Sequence, residues 1–373
     1  MATALSNGRV LTATGFRDDL AVLIEGGRIV ALADAGDARL READTHDLAG
    51  HVLLPGFIDG QVNGGGGALF NDAPTVETIR RIGAAHRHYG TTGFLPTLIS
   101  DDADVMRAAL TAVDDAIEQR VPGVLGIHLE GPYIAPARRG AHDPAKFRIP
   151  DPREIDLVCS LRHGVTVLTL APEQVSADIV RELCARGVIV CIGHTAASYE
   201  EARAALAAGA RGFTHLYNAM SPLQGRAPGV VGAALEDRAS WCGLIVDGHH
   251  VHPAALRVAL AAKPSGKLML VTDAMPPVGA ASDTYVLAGA TITCRDGRCE
   301  TADGVLAGSA LDMAGAVRNT VATLGVALEE AARMASTYPA EFLGLADSHG
   351  RIAVGMRADL VELDAAFNVR RSW

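Results

Sequence analysis

Long apolar runs are missing from this 373-residue chain: none approaches the roughly 18 or more residues of a membrane span. Residues 1–10 hold no basic segment followed by an apolar core, so no secretory signal is expected. Cysteine is sparse. The six, at positions 159, 184, 191, 242, 294 and 299, form no Cys-x-x-Cys pair, and four lie inside apolar or helical patterns. Reduced, buried thiols in a cytoplasmic protein are the expectation. Charge is also short, at 20% of residues against 49% hydrophobic, which describes a well-buried globular chain. With 33 Lys and Arg against 43 Asp and Glu, the net charge of −10 argues against nucleic acid or an anionic membrane as partner. A local group of Arg and His could still hold a phosphorylated small molecule. No early strand leads into G-x-G-x-x-G; the run from Gly64 to Gly67 lacks that spacing and reads as a loop beside the site.

What the chain does have is alternation. Residues 1 to about 50 contain short strand-like runs and turns, with a hairpin expected at Glu25-Gly26-Gly27. Short apolar strands are then predicted at 52–58, 92–98, 124–129, 165–170, 188–193, 212–214, 242–246 and 268–272. Amphipathic helices are predicted between them at 76–89, 103–119, 176–186, 198–208 and 253–262. Eight strands alternating with helices fit a (β/α)8 TIM-type barrel. Residues 275–305 interrupt the rhythm and suggest a β hairpin near the active-site mouth. Helices are expected again at 311–324 and 328–343, then strands at 350–355 and 358–364. A β-rich start and end suggest one small β-sandwich made by both termini. The expected division is 1–53 and 349–373 for the sandwich and 54–348 for the barrel.

Four of the predicted strands end in a chemically active residue: Glu130 follows the third, His194 the fifth, His215 the sixth and Asp273 the eighth. A buried strand that delivers a carboxylate must give it a partner, because a bare buried charge is costly. In a barrel these strand ends converge on one face. One carboxylate and two imidazoles suit a zinc-type divalent ion and leave a position open for water. Asp273 could then act as base toward that water and as acid toward the leaving group. His128, two residues before Glu130, is expected to pack or support the site rather than bind metal, and His86 and His88 are expected to be structural.

The motifs Pro55-Gly56-Phe57-Ile58-Asp59, His128-Leu129-Glu130-Gly131-Pro132, Gly193-His194-Thr195, Thr214-His215-Leu216-Tyr217-Asn218-Ala219-Met220, Asp247-Gly248-His249-His250 and Val271-Thr272-Asp273 together carry a resemblance. The sequence resembles the amidohydrolase superfamily and, within it, the N-acetylglucosamine-6-phosphate deacetylase family, along the whole chain. The resemblance implies Glu130, His194 and His215 as ligands of one divalent metal per subunit, zinc first, with iron or another ion as alternatives. It implies Asp273 as acid and base, and His142 beside the acetyl carbonyl. Ala141, Asn218, Ala219, Arg226, His250, Leu306, Ala307 and Gly308 would contact the substrate, with Arg226 reaching the neighbouring active site of a homodimer. The implied reaction is hydrolysis of the acetamide of N-acetylglucosamine 6-phosphate in the cytoplasm, during amino-sugar catabolism. A sister substrate such as N-acetylgalactosamine 6-phosphate, or a non-catalytic sugar-phosphate binder, is the alternative. Where many amidohydrolases have His-x-His, this chain has Gln61-Val62-Asn63. Amides are weak ligands beside imidazole, which points to a mononuclear site.

Overall fold

In the computed structural model, which describes residues 2–34 and 36–373, the two β-rich ends of the chain come together. Thr3–Ser6, Leu20–Glu25, Arg28–Asp34 and Asp44–Asp47 form a four-stranded sheet. Arg9–Thr12, Gly15–Arg17 and Val52–Pro55 join Leu360–Leu363 and Val369–Ser372 in a five-stranded one. Alternate residues of both sheets, among them Leu5, Val10, Val22, Leu53 and Leu360, meet in one apolar cluster. The expected hairpin turn is present: Gly26 and Gly27 have φ of 57° and 74°, a left-handed pair that glycine adopts without Cβ strain.

The apolar run predicted as one strand at 52–58 is two. Val52–Pro55 lies antiparallel to Leu360–Leu363 in the small domain, whereas Phe57–Val62 opens the barrel. Gly56 makes the hand-over. Its N–H donates to Asp359 O at 2.8 Å, and a Cβ at this position would stand 2.1 Å from Thr92 Oγ1. Both segments are almost wholly buried, so hydropathy alone shows no boundary.

The barrel strands are β1 (Phe57–Val62), β2 (Thr91–Ile99), β3 (Gly126–Glu130), β4 (Val165–Leu170), β5 (Ile189–Ile192), β6 (Gly212–Phe213), β7 (Trp241–Leu244) and β8 (Leu268–Leu270). Each pairs in parallel with the next. The ring closes beyond the end of β8, where Asp273 N–H donates to Gln61 O (3.0 Å) and Asn63 N–H to Ala274 O (2.9 Å). The architecture is therefore a (β/α)8 barrel with a β-sandwich built from both termini. Its outer helices include Val76–Arg87, Ala103–Glu118, Ala177–Ala185, Tyr199–Ala207 and Pro253–Ala262, close to their predicted bounds. Ser198 starts one of them with a reciprocal capping box to Glu201. No described helix is long and apolar enough to cross a membrane.

Three local expectations change. The helix predicted at 328–343 is two, Leu328–Ala335 and Thr337–Leu343, broken at Ser336. Pro339 has no N–H for a continuous ladder and its ring would crowd the carbonyl of Ala335, but it is tolerated in the first turn of a new helix. The strand predicted at 350–355 is a loop, with Gly350 and Gly355 both left-handed (φ 83° and 89°). The excursion at 275–305 is larger than a hairpin. Thr284–Leu287, Ala290–Arg295, Arg298–Glu300 and Leu306–Ser309 form a four-stranded antiparallel sheet over an apolar cluster with Leu69 and Met275. Within it Cys294 and Cys299 are direct cross-strand partners and form a disulfide, against the expectation of six reduced thiols; the other four are free.

Candidate active site

Glu130 is the last residue of β3, His194 and His215 lie two residues beyond β5 and β6, and Asp273 follows β8. All four are at the C-terminal end of the barrel, as the sequence predicts. His194, His215 and Asp273 share a feature the sequence hides: φ values of 49°, 31° and 53°. Left-handed backbone at a non-glycine residue costs about 1–3 kcal/mol. Here it turns each side chain inward at the point where its strand stops.

The donor atoms converge. His215 Nε2 lies 3.0 Å from Glu130 Oε1 and 3.0 Å from His194 Nε2, which is itself 3.3 Å from Glu130 Oε1. His194 Nδ1–H donates to Arg138 O at 2.9 Å, which puts the lone pair of the neutral ring on Nε2, toward the other donors. His215 Nδ1 is buried without a partner, so the ring is held by what its Nε2 faces. Burial alone would raise the Glu130 carboxyl, but the contacts with the His194 and His215 rings outweigh it and hold the group well below the usual range. Two imidazole nitrogens and one carboxylate oxygen aimed at one point fit a divalent cation, and these three residues form the metal-competent cluster among the described residues.

Asp273 stands beside this centre. Its Oδ1 accepts from Asn63 Nδ2 (2.6 Å) and Gln61 Nε2 (3.2 Å), and the same Gln61 amide donates to Glu130 Oε1 at 2.9 Å. The two amides in the His-x-His positions thus tie the carboxylate of Asp273 to that of Glu130. Burial, with the charge of Glu130 added, pushes Asp273 up to about 6. Beneath it Asp59, pushed up to about 7 by burial, accepts from Thr272 Oγ1 at 2.5 Å and from Thr272 N–H at 3.2 Å.

His142 faces the cluster from a loop, with Nε2 at 3.9 Å from Glu130 Oε2. Its Nδ1 accepts from Ser100 N–H (3.3 Å) and lies 2.8 Å from Ser100 Oγ, so the neutral ring carries its proton on Nε2. Burial, with His194 adding, pulls it down to about 3. It is therefore a neutral hydrogen-bond donor. His128 points elsewhere, to Thr169 Oγ1 (2.8 Å) and Thr97 Oγ1 (3.4 Å) inside the barrel, and His86 binds Gly64 O at 2.9 Å.

A cavity of about 470 Å³ opens from Glu130, His194, His215 and Asp273 toward the mouth sheet. Of the residues expected on the substrate, Ala141, His142, Asn218 and Ala219 line it, as do His250, Leu306 and Gly308. Ala307 does not: it is buried in the sheet, where the Tyr285 hydroxyl donates to its carbonyl. Arg226 does not either, and lies in the exposed stretch 222–227. His250 is braced by Asp247, whose Oδ2 accepts from Nδ1 at 2.6 Å while its Oδ1 accepts from the His249 and His250 N–H groups at 2.9 Å each. Burial opposes the Asp247 charge, but the His250 contacts outweigh it and lower the carboxyl. His252 instead caps a helix through Ala254 N–H. Two polar lining residues escaped the sequence reading, His249 and Arg298. His249 had neighbours of equal promise, and Arg298 becomes visible only once the mouth sheet is folded.

Residues 52–371 match the model of the amidohydrolase family. The chain is 43% identical to an N-acetylgalactosamine-6-phosphate deacetylase of Shewanella sp. (strain ANA-3), over 98% of this chain and 93% of that protein. It is 38% identical to the N-acetylglucosamine-6-phosphate deacetylase of Homo sapiens, over 96% and 90% of the two chains. Its fold is similar to the crystal structure of N-acetylglucosamine-6-phosphate deacetylase from Pasteurella multocida, with a TM-score of 0.97, 36% identity and coverage of 100% and 98%. On this evidence the chain is an enzyme and belongs to the amidohydrolase family.

Proposed function

We propose that this enzyme hydrolyses the acetamide of N-acetylglucosamine 6-phosphate to glucosamine 6-phosphate and acetate. One observation carries the reading. A single cavity has the Glu130/His194/His215 donor set and Asp273 at its closed end, and His250, Asn218 and Ala219 on its wall. Glu130, His194 and His215 would hold one divalent ion per subunit, zinc by ligand type. Such an ion, when bound, acidifies water and polarises a carbonyl.

The protein's own residues do the rest. Asp273 accepts the proton of the attacking water, and the oxygen of that water bonds to the acetyl carbon. The Nε2–H of His142 donates to the oxyanion that forms. Asp273 then returns the proton to the nitrogen, the C–N bond breaks, and the amine leaves neutral, because an amine anion is too basic to depart. Gln61 and Asn63 hold the Asp273 carboxylate in place for both transfers. Their presence in place of histidines supports a single metal. His250, with Asn218 and Ala219, would take the sugar phosphate. Arg226, exposed and outside the lining of this chain's cavity, is consistent with a residue lent to the neighbouring site in a homodimer. A phosphorylated sugar is a cytoplasmic metabolite by its charge. The proposed chemistry does not use the Cys294–Cys299 bond.

The galacto epimer is the second reading, favoured by the 43% identity to the Shewanella enzyme against 38% to the human one. Acetate release from the two phosphorylated epimers and from unphosphorylated N-acetylglucosamine, with metal content measured on the same sample, decides. Turnover concentrated on the gluco phosphate with about one metal per chain supports the proposal. A preference for the galacto phosphate replaces the substrate. Absence of turnover by metal-loaded protein on every compound overturns it.

A further inference from the structure

The cavity lining contains two carboxylates and several histidines but one guanidinium, that of Arg298. The chain as a whole carries a net charge of −10, and Glu130 and Asp273 sit in the same cavity. The divalent ion proposed above would offset those two carboxylates, but a dianionic phosphate still approaches an acidic chain and is favoured by cations placed where it rests. Histidine supplies such charge only in part at neutral pH, and Arg226 lies outside this chain's cavity. The cation that the chain provides at its own site is Arg298.

Its placement is built rather than incidental. Arg298 opens the third strand of the mouth sheet, directly after the tight turn at Asp296 and Gly297, whose φ values are 50° and 82°. That turn is docked on the loop that carries His250. His249 Nε2 lies 3.0 Å from Asp296 O, and a Cβ on Gly297 would stand 3.6 Å from the same ring atom. Strand alternation buries Cys299 in the apolar cluster and sends Arg298 and Glu300 to the other face. There Arg298 Nε donates to Glu300 Oε2 at 2.6 Å, in a pair whose side chains are 45% and 37% exposed. A pair so open to water is weak, and a phosphate offers the guanidinium a bidentate acceptor of higher charge.

We propose that Arg298 is a specificity-determining residue that binds the phosphate of the substrate from within the same chain, exchanging its contact with Glu300 for the phosphate oxygens. This inference rests on the phosphorylated-sugar reading above.

The test compares Arg298→Ala, Arg298→Lys and Glu300→Gln with the parent enzyme, using N-acetylglucosamine 6-phosphate, its galacto epimer and unphosphorylated N-acetylglucosamine. Arg298→Ala should raise KM for the favoured phosphorylated sugar about 10-fold or more, leave kcat within about 2-fold, and leave kcat/KM for the unphosphorylated sugar unchanged. Arg298→Lys should recover part of the loss, because a point charge replaces the planar fork. Glu300→Gln should lower KM for the phosphorylated sugar by about 2- to 5-fold, since the guanidinium no longer leaves a carboxylate. Equal losses on phosphorylated and unphosphorylated sugars, or an unchanged KM in Arg298→Ala, would overturn the inference and leave the deacetylase reading standing. A parent enzyme that shows no preference for either phosphorylated sugar would overturn the phosphate reading, and this inference falls with it.

Discussion

Replacing Asp273 by Asn separates the proposed proton carrier from the proposed metal ligands, because Glu130, His194 and His215 are left in place. The side chain keeps its shape and an oxygen that can accept from Asn63 and Gln61, now 2.6 and 3.2 Å away. What it loses is the ability to accept and return a proton. One positioned acid or base contributes about 10²- to 10⁴-fold, and in the proposed reaction Asp273 serves both transfers, so kcat should fall by about 10⁴-fold. The same change should stabilise the metal-free protein. Burial and the charge of Glu130 raise the Asp273 carboxyl, so the ionised form is disfavoured in the fold relative to the unfolded chain. The resulting destabilisation is absent below the unfolded value of about 4 and grows as pH rises toward the folded value of about 6. Asn at 273 removes it. The metal-free variant should melt at the parent's temperature near pH 4 and about 1–3 °C higher at pH 8. Acetate release, metal content and calorimetry at the two pH values read the three effects. Turnover within 10-fold of the parent would refute the assignment of Asp273 as proton carrier. A lower melting temperature at pH 8 would refute the account of the buried carboxylate pair.

The pH profile of the metal-loaded parent should show a single-proton acid limb at or below about pH 6, because a bound cation favours the Asp273 carboxylate and opposes the rise caused by burial. His142, held near 3, should add no limb between about pH 5 and 9, and a second ionisation that vanishes in His142→Gln would contradict its assignment as a neutral donor. Asp247→Asn keeps an acceptor for His250 but removes the charge; KM for the phosphorylated sugar should rise about 3- to 10-fold with kcat within 2-fold, and a kcat effect alone would count against a binding role. Gly126→Ala, at the start of β3, would place a Cβ 2.0 Å from Val165 O of the neighbouring strand; a loss of about 3 kcal/mol in chemical denaturation is expected, and an unchanged midpoint would show that the β3–β4 ladder can spread.

The strand ends were legible because barrel strands are buried on both faces, so an apolar run that stops at His, Glu or Asp marks where the chain leaves the sheet. That rule located Glu130, His194, His215 and Asp273 without any structure. It failed at 52–58 because two sheets drew on one apolar run, and the Pro55-Gly56 pair that divides it was the missed signal. It failed again at 328–343, where the periodicity was right and Pro339 carried the missed signal. The disulfide had a local signature. Cys294-Arg295-Asp296-Gly297-Arg298-Cys299 contains the Asp-Gly pair of a two-residue hairpin turn, which sets the two cysteines opposite one another. The same turn would have placed Arg298 and Glu300 on one face.

The backbone torsions of the site were not legible at all, since nothing in the identity of His194, His215 or Asp273 announces a positive φ. The reason they can be sustained lies in the closure of the barrel. Asp273 donates its N–H to Gln61 O, Asn63 donates its N–H to Ala274 O, and Asp59 holds Thr272 from below. The hydrogen bonds that join β8 to β1 therefore also fix the residue proposed to move the proton, and the side chains of Gln61 and Asn63 reach from that seam to its carboxylate. Histidines at those two positions would face the same carboxylates but could present ring lone pairs to a second cation. Amides offer N–H donors instead, and those donors already have their acceptors. In this chain those two positions hold hydrogen-bond donors that belong to the fold as much as to the proposed chemistry.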